Sequence, residues 1–267
     1  MIDIKSEMLL LLDLDGTIIM TGKDLDPELA DYLKYFNDAN SLLITTARPP
    51  QGVQYVFKKY FDFIPTISLN GGGLHLSNWE RFNSVITISQ ESLNELLLIL
   101  KKYRNVTLNC YSKNNWYTSE INPFVIAEAE VTGTIPKIII EPISEECIKI
   151  LLMGDNSDLD YIQKIIIQDM SSQIFPSRSN NNYLEITSSK TNKAFFVKDY
   201  LKYFKQIERE NITILFAGDS ENDIVCAKYA DYAWTYTYAP DELKAHCSLL
   251  KFENGKGLKS LLKQIIK

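Results

Sequence analysis

The sequence predicts an α/β protein: a doubly wound parallel sheet with a smaller α+β unit inserted into it. Three observations carry this expectation. Short apolar runs alternate with helix-period segments up to Leu69, and the alternation resumes after Lys193. The runs at Met8–Leu12 and Ile212–Ala217 are apolar throughout, which suits parallel strands covered on both faces. Between these stretches strands and helices come in mixed order with hairpin-like pairs, the pattern of a separate α+β unit.

Taken in order, Met8–Asp13 is the first strand, and its last residue is acidic. A polar loop leads to Pro27, a residue suited to the first turn of a helix. Leu29, Tyr32, Leu33 and Phe36 then form one helical stripe. Ser41–Thr45 is the second strand, Pro50–Tyr60 the second helix and Pro65–Leu69 the third strand. Gly73–Leu76 and Val85–Ile88 read as short strands, followed by a helix on Leu93, Leu96, Leu97 and Leu100. Val106–Tyr111 and Cys147–Met153 are further strands around an irregular middle. A helix on Leu159, Ile162 and Ile166 precedes strands at Ser172–Phe175 and Tyr183–Ile186, with Asn180–Asn182 as the turn between them. The last helix carries Leu258, Leu261, Leu262 and Ile265. The expected division is a core of residues 1–77 and 188–267 with an inserted unit at 78–187.

Composition narrows the function. The chain has 267 residues, 45% hydrophobic and 23% charged, as in ordinary globular proteins. Its net charge is −6 with no basic block, so a nucleic-acid backbone is an unsuitable partner. No apolar run spans a bilayer, and the acidic opening MIDIKSE does not resemble a signal peptide. These features point to a cytoplasmic protein with no membrane partner. Cys110, Cys147, Cys226 and Cys247 lie far apart among apolar neighbours and read as buried, reduced thiols. Two histidines do not make a zinc site, and no G-x-S-x-G elbow is present.

Active sites of open parallel sheets form beyond the C-terminal ends of the strands. Those ends read Asp13-Leu-Asp15-Gly16-Thr17, Thr45-Thr46-Ala47-Arg48, Asn70-Gly71-Gly72-Gly73 and Gly218-Asp219-Ser220-Glu221-Asn222-Asp223. So many carboxylates on one edge repel one another unless a cation sits among them. Oxygen donors of this kind favour Mg²⁺, which in turn favours phosphate. Two carboxylates in a D-x-D spacing past a strand end can share the work, one attacking phosphorus and the other moving a proton.

DLDGT at 13–17, Thr46 in TTAR, Lys193 in NKAFF and GDSEND at 218–223 resemble the four motifs of the haloacid dehalogenase superfamily, in order and across nearly the whole chain. The gap between Thr46 and Lys193 holds roughly a hundred residues beyond the core elements, a domain-sized piece. That arrangement resembles the Cof-like, sugar-phosphatase branch, with a cap inserted between the second and third motifs of a Rossmann-like core. Asn70-Gly71 and LEITSSKTNKA resemble segments of the same branch. Ala47 and Ala194 stand where relatives often have glycine.

The resemblance implies a Mg²⁺-dependent phosphomonoester hydrolase acting on a small phosphorylated metabolite, with sugar phosphates the favoured class. Asp13 would be the nucleophile that forms an aspartyl-phosphate, and Asp15 the general acid and base. Thr46 and Lys193 would hold phosphate oxygens. Asp13, the Asp15 carbonyl and Asp219 would hold Mg²⁺, with Asp223 and Asn222 in support. Gly16 permits the turn after the nucleophile, and Arg48, Asn70 and Gly71 are further candidates for substrate contact. Bland readings stand beside these: Thr46 as a helix cap, Arg48 as a surface or domain-contact arginine, Asn70-Gly71 as a plain turn. Arg178 reads as a solvated loop arginine, Lys190 as a solvated loop charge, and Trp116 as packing or a sugar platform. A phosphomutase of the same fold is the runner-up, expected to need a basic cluster in the cap. A non-catalytic phospho-ligand or phospho-accepting domain is the other alternative. The expected assembly is a monomer or small homo-oligomer.

Overall fold

The computed structural model describes residues 7–20, 24–139, 145–250 and 256–266, so the first six residues of the MIDIKSE opening lie outside it. The first stretch comprises β1 (Glu7–Asp13), α1 (Pro27–Ala39), β2 (Ser41–Thr45), α2 (Pro50–Phe57), β3 (Thr66–Ser68), β4 (Gly73–His75) and β5 (Ser84–Val85). The middle holds α3 (Gln90–Leu100), β6 (Thr107–Tyr111), β7 (Trp116–Thr118), α4 (Pro123–Thr132), β8 (Lys137–Ile138), β9 (Lys149–Met153), α5 (Asn156–Ile165), β10 (Ile174–Asn180) and β11 (Tyr183–Ser188). The last stretch is α6 (Val197–Asp199), β12 (Ile212–Ala217), α7 (Ile224–Tyr229), β13 (Tyr232–Tyr236), α8 (Asp241–Lys244), β14 (Ser248–Leu250) and α9 (Lys256–Ile265).

These strands form an eight-stranded sheet in the order β14-β13-β12-β1-β2-β3-β4-β5 and a six-stranded sheet in the order β10-β11-β9-β6-β7-β8. The α/β class with a Rossmann-like parallel core is therefore as expected. β1 explains why its sequence is apolar without a break. Leu10 and Leu12 pack with Leu29, Leu33 and Phe36 of α1 and Leu258 and Leu262 of α9. Leu9 and Leu11 face the opposite layer, with Val197, Leu201, Cys226 and Leu243. Each buried leucine contributes about 1.5–3 kcal/mol, so β1 anchors both layers at once. It pairs in parallel with β12 on one side and β2 on the other. The strand order reverses around β1, which opens a crevice at its C-terminal end beside Asp13. Helix α1 starts as its sequence requires: the Asp26 side chain accepts from Leu29 N at 2.9 Å, with Pro27 in the first turn.

The six-stranded sheet is antiparallel apart from the β7–β8 pair. One face packs Ile150, Leu152 and Ile186 against Leu93 and Leu96 of α3 and Leu159 and Ile162 of α5. The other packs Tyr111, Trp116, Leu151 and Met153 beneath Val125 of α4.

Several expectations need correction. β4 and β5 pair antiparallel onto β3, so the larger sheet continues to Val85, beyond residue 77. The smaller sheet continues through Ser188. Strands of two or three residues are too short to show a period, and a hairpin can extend a sheet without a crossover. The third parallel strand is trimmed to Thr66–Ser68 and the second helix ends at Phe57. β10 runs on through Arg178 to Asn180, and Asn181-Asn182 alone make the turn. Cys110, Cys147 and Cys226 are buried free thiols, whereas Cys247 is partly exposed. β7, α4, β8, α7, β13, α8 and β14 escaped the reading. The signal for α4 was present: Asn122 caps Val125 N at 3.1 Å, Pro123 follows, and Gly133 ends the helix at φ +63°. No helix among the described residues is long and apolar enough to cross a membrane.

His75 is fully buried in this sheet, with Nε2 2.9 Å from Ser68 Oγ and Nδ1 3.1 Å from the Arg81 carbonyl. The Arg81 carbonyl can only accept, so Nδ1 carries a proton, and in the neutral ring Nε2 accepts from the Ser68 hydroxyl. Burial lowers its pKa to about 4. As pH falls from about 6.5 the unfolded chain takes up a proton that the native chain refuses, so stability drops until about pH 4. The expected loss across this window is about 3 kcal/mol by the linkage relation. Urea titrations at pH 7 and pH 4.5 should show a slope that is reduced in His75→Gln; an unchanged slope would contradict this account.

Candidate active site

Asp13 ends the central strand, is 3% exposed, and points Oδ1 at Lys193 Nζ, 2.7 Å away. The same ammonium reaches Asp223 Oδ1 at 2.8 Å. Lys193 is carried there by the loop after β11, and its own carbonyl accepts from Thr45 Oγ1 at 2.7 Å. Asp223 is fully buried, and its Oδ2 accepts from Asp219 N and Ser220 N at 3.0 Å and from Ser220 Oγ at 3.1 Å. Its oxygens are thus committed to holding Lys193 and the loop that carries Asp219. Carboxylate oxygens of Asp13, Asp219 and Asp223 lie within 4.8 Å of one another.

Three carboxyls facing one ammonium leave an excess of negative charge. Burial, followed by Asp223, raises the Asp13 carboxyl well above its ordinary range, against the pull of Lys193. Burial and Asp223 likewise push Asp219 up to about 7. Burial works against the charge on Lys193, but Asp13 and Asp223 outweigh it and hold the group protonated. A dry site with this imbalance favours a bound cation.

Gly16 has φ +76°, and a Cβ on it would lie 2.1 Å from Asp219 Oδ2. The turn after Asp13 therefore passes directly against the third carboxylate. Gly71 has φ +94°, and a Cβ there would lie 2.0 Å from the Asn192 carbonyl oxygen. The Thr191 hydroxyl donates to the Gly71 carbonyl, so the Asn70-Gly71 turn braces the chain just before Lys193.

Asp15 is turned away from this cluster. Its carboxylate accepts from Arg48 Nε at 2.7 Å and from Arg48 Nη2 at 2.6 Å, a two-point pair. Arg48 Nη1 donates to the Val131 carbonyl of α4 at 2.6 Å. Arg48 therefore joins Asp15 to the smaller sheet's unit. Thr46 is 1% exposed, and its Oγ1 accepts from Arg48 N at 3.1 Å. It supports the turn before α2 without capping that helix, whose N-cap position is Pro49. The Thr46 carbonyl accepts from Asn70 N at 2.9 Å, lacing the ends of β2 and β3 together. Asn70 sits at φ +56°, its Nδ2 donates to Ser177 Oγ at 3.1 Å, and its buried Oδ1 has no partner. The Asn222 side chain accepts from Ser220 Oγ at 2.7 Å and so belongs to the GDSEND turn.

Other candidates fall outside the site. Arg178 is not a solvated loop residue: it donates to Asn156 Oδ1 at 2.5 Å and to the Asn181 carbonyl. It pairs with Leu184, so it lies on the face covered by α5. Trp116 stacks on Tyr111 and donates to Asn109 Oδ1 at 3.0 Å, a packing role. Lys190 is exposed. The sequence reading missed Lys149, whose Nζ donates to the Ala47 carbonyl at 2.6 Å and to Glu185 Oε2 at 3.2 Å. A lysine opening an otherwise apolar strand was the available signal.

The sequence matches the haloacid dehalogenase-like hydrolase family over residues 10–257. The chain belongs to that family. Insertion of the smaller sheet between Thr46 and Lys193 is the arrangement of its Cof-like branch. No curated protein sequence matches. A haloacid dehalogenase-like hydrolase from Bacteroides thetaiotaomicron shares the fold at TM-score 0.79 and 20% identity, covering 97% of this chain and 99% of that one. A haloacid dehalogenase-like hydrolase from B. subtilis gives TM-score 0.83 at 19% identity, covering 96% and 99%. BT1666 from Bacteroides thetaiotaomicron, a phosphatase of the same superfamily, gives 0.77 at 17% identity, covering 97% and 94%.

Gly16→Ala should displace the Asp219 carboxylate while leaving Asp13 in place. Loss of one oriented ligand costs roughly 10–100-fold in metal affinity. Calorimetric titration with Mg²⁺ should show a weakening in that range, and unchanged affinity would mean that Asp219 is not a ligand.

Proposed function

We propose that the protein is a Mg²⁺-dependent phosphomonoester hydrolase of a small phosphorylated metabolite, with a sugar phosphate the favoured class. The observation that carries this reading is the buried Asp13–Lys193–Asp223 chain at the end of the central strand, with Asp219 beside it and Asp15 two residues on. The donor set suits Mg²⁺: hard carboxylate oxygens with uncompensated negative charge and no thiolate or imidazole among them. Asp13 and Asp219 would hold the ion together with the Asp15 carbonyl, while Asp223 orients Lys193 and the Asp219 loop. When bound, the ion would neutralise charge on the transferring phosphoryl group.

The protein's residues would act in two steps. An Asp13 oxygen attacks phosphorus, the bond to the leaving oxygen breaks, and Asp15 gives that oxygen its proton. Asp15, now a carboxylate, takes a proton from water as the water oxygen attacks phosphorus. The bond to Asp13 breaks, phosphate leaves, and Asp15 is protonated again. Lys193 and Thr46 hold the phosphoryl oxygens where charge builds up. Both Asp15 oxygens accept from Arg48 in this arrangement, so that pair would be released for Asp15 to turn toward the leaving oxygen. Arg48 also grips the Val131 carbonyl, which links that release to movement of the α4 unit. Asp13, Thr46 and Lys193 are each no more than 3% exposed, so the same movement would admit substrate.

The acidic balance of the chain supports a small-molecule partner over nucleic acid, and the reading places the protein in the cytoplasm as a monomer or small homo-oligomer. Hydrolysis is favoured over phosphoryl transfer to a second sugar because Lys149, the buried cation of the cap face, already pairs with Glu185. A mutase needs a free basic group there.

Phosphate release from an aryl phosphate should require Mg²⁺ and fall at least a thousand-fold, by analogy with loss of other nucleophiles, in Asp13→Asn. Asp15→Asn should cost more with alkyl phosphates than with aryl phosphates, because the poorer leaving group needs the proton. Equal losses would remove Asp15 from the acid role, and full activity of Asp13→Asn would overturn the mechanism.

A further inference from the structure

The face of the six-stranded sheet that carries α4 also carries a set of polar side chains that the phosphoryl chemistry does not use. Cross-strand partners share a face, so the register places Tyr111, Lys149 and Thr187 in one row and Asn109, Leu151, Glu185 and Ser177 in the next. Lys149 and Glu185 form an ion pair, 2% and 4% exposed. Lys149 Nζ also lies 4.9 Å from the centre of the Tyr111 ring. Through the Ala47 carbonyl and Asn70 Nδ2 this face touches the loops that hold Thr46 and Arg48. Glu128 of α4 faces the same group and accepts from Tyr111 Oη at 3.4 Å.

The charges at this face are unevenly committed. Arg48 spends Nε and Nη2 on Asp15 and Nη1 on the Val131 carbonyl. Lys149 spends its ammonium on Glu185 and the Ala47 carbonyl. Arg178, the other cation singled out in this unit, has a buried Nη1 without a partner but lies on the opposite face, with α5. Against these stand acceptors still open to a donor: Glu128 makes no ion pair among the described residues, and the buried Asn70 Oδ1 has no partner. Thr187 Oγ1, beside Lys149, is likewise buried without a partner. Burial, and then Glu185 and Asp15, raise the Glu128 carboxyl above its ordinary range against Lys149 and Arg48, so an added anion would make the site worse and an added donor better.

We propose that this face, through Glu128, Glu185, Asn70 and Thr187, selects an alcohol leaving group that donates hydrogen bonds and carries no second negative charge, a polyhydroxylated or aminated alcohol. It rests on the hydrolase reading above and narrows it: substrates with a second phosphate or a carboxylate are rejected because Lys149 and Arg48, the cations at this face among the described residues, are already committed.

The test is phosphate release with Mg²⁺ from matched substrates: glucose 6-phosphate and glucosamine 6-phosphate against 6-phosphogluconate, and fructose 6-phosphate against fructose 1,6-bisphosphate. The uncharged and aminated members should have kcat/KM at least tenfold above their anionic counterparts, and Glu128→Gln should narrow that ratio severalfold. An anionic member turned over as fast as its counterpart overturns the proposal, as does release from an aryl phosphate with none from any sugar. Wild-type ratios decide the matter even where the variant does not fold. Failure of the hydrolase reading itself looks different: no aryl phosphate release above the Asp13→Asn blank.

Discussion

One buried ammonium holds the acidic edge of the parallel sheet together. Lys193 Nζ bridges Asp13, at the end of the central strand, and Asp223, at the end of the turn that carries Asp219. These three residues come from separate parts of the chain, and without the ammonium the two buried carboxylates would repel one another. A buried lysine is itself tolerable only because two carboxylates face it. The arrangement nonetheless stays short of neutrality, and the raised carboxyls of Asp13 and Asp219 express that shortfall. The fold thus builds the site one cation short, which is why a hard divalent ion suits it.

The close approach of backbone segments serves this arrangement. Gly16 and Gly71 mark the two places where the chain passes within a side chain's width of another segment, the first against Asp219 and the second against the residue before Lys193. Each brings a motif to the bridge from a distant part of the sequence. Arg48 performs a similar service at the next level, joining Asp15 of the larger sheet's unit to the Val131 carbonyl of the smaller. A single guanidinium is therefore positioned to make the orientation of the Asp15 carboxylate depend on where α4 sits.

Much of the fold was legible because burial leaves a periodic trace. The unbroken apolar runs of β1 and β12 and the helical stripes of α1 and α9 were all readable in that way. The short strands β4 and β5 were not, since two or three residues carry no period, and they moved the edge of the larger sheet beyond the expected boundary. The helix α4 was missed despite its Asn-Pro start and closing glycine, because its apolar residues are spread around it and form no stripe. Thr46 shows a subtler limit: a threonine before Ala-Arg-Pro-Pro suggests a helix cap, but two prolines push the helix start on and leave the hydroxyl bracing the Arg48 turn.

The sequence by itself determined which residues stand at the ends of the parallel strands, and therefore the acidic and hydroxyl groups that make the edge of the core. Strand ends are local features, and a carboxylate that closes an apolar run announces its place without reference to the rest of the chain. Only the tertiary structure decided how the charges are shared. That Asp223 braces Lys193, that Arg48 takes Asp15, and that Lys149 and Glu185 neutralise each other beneath Glu128 all depend on strand register and on contacts between residues dozens to more than a hundred positions apart. Pairing of this kind is set by which groups burial forces together, and nothing in the local order of residues records it.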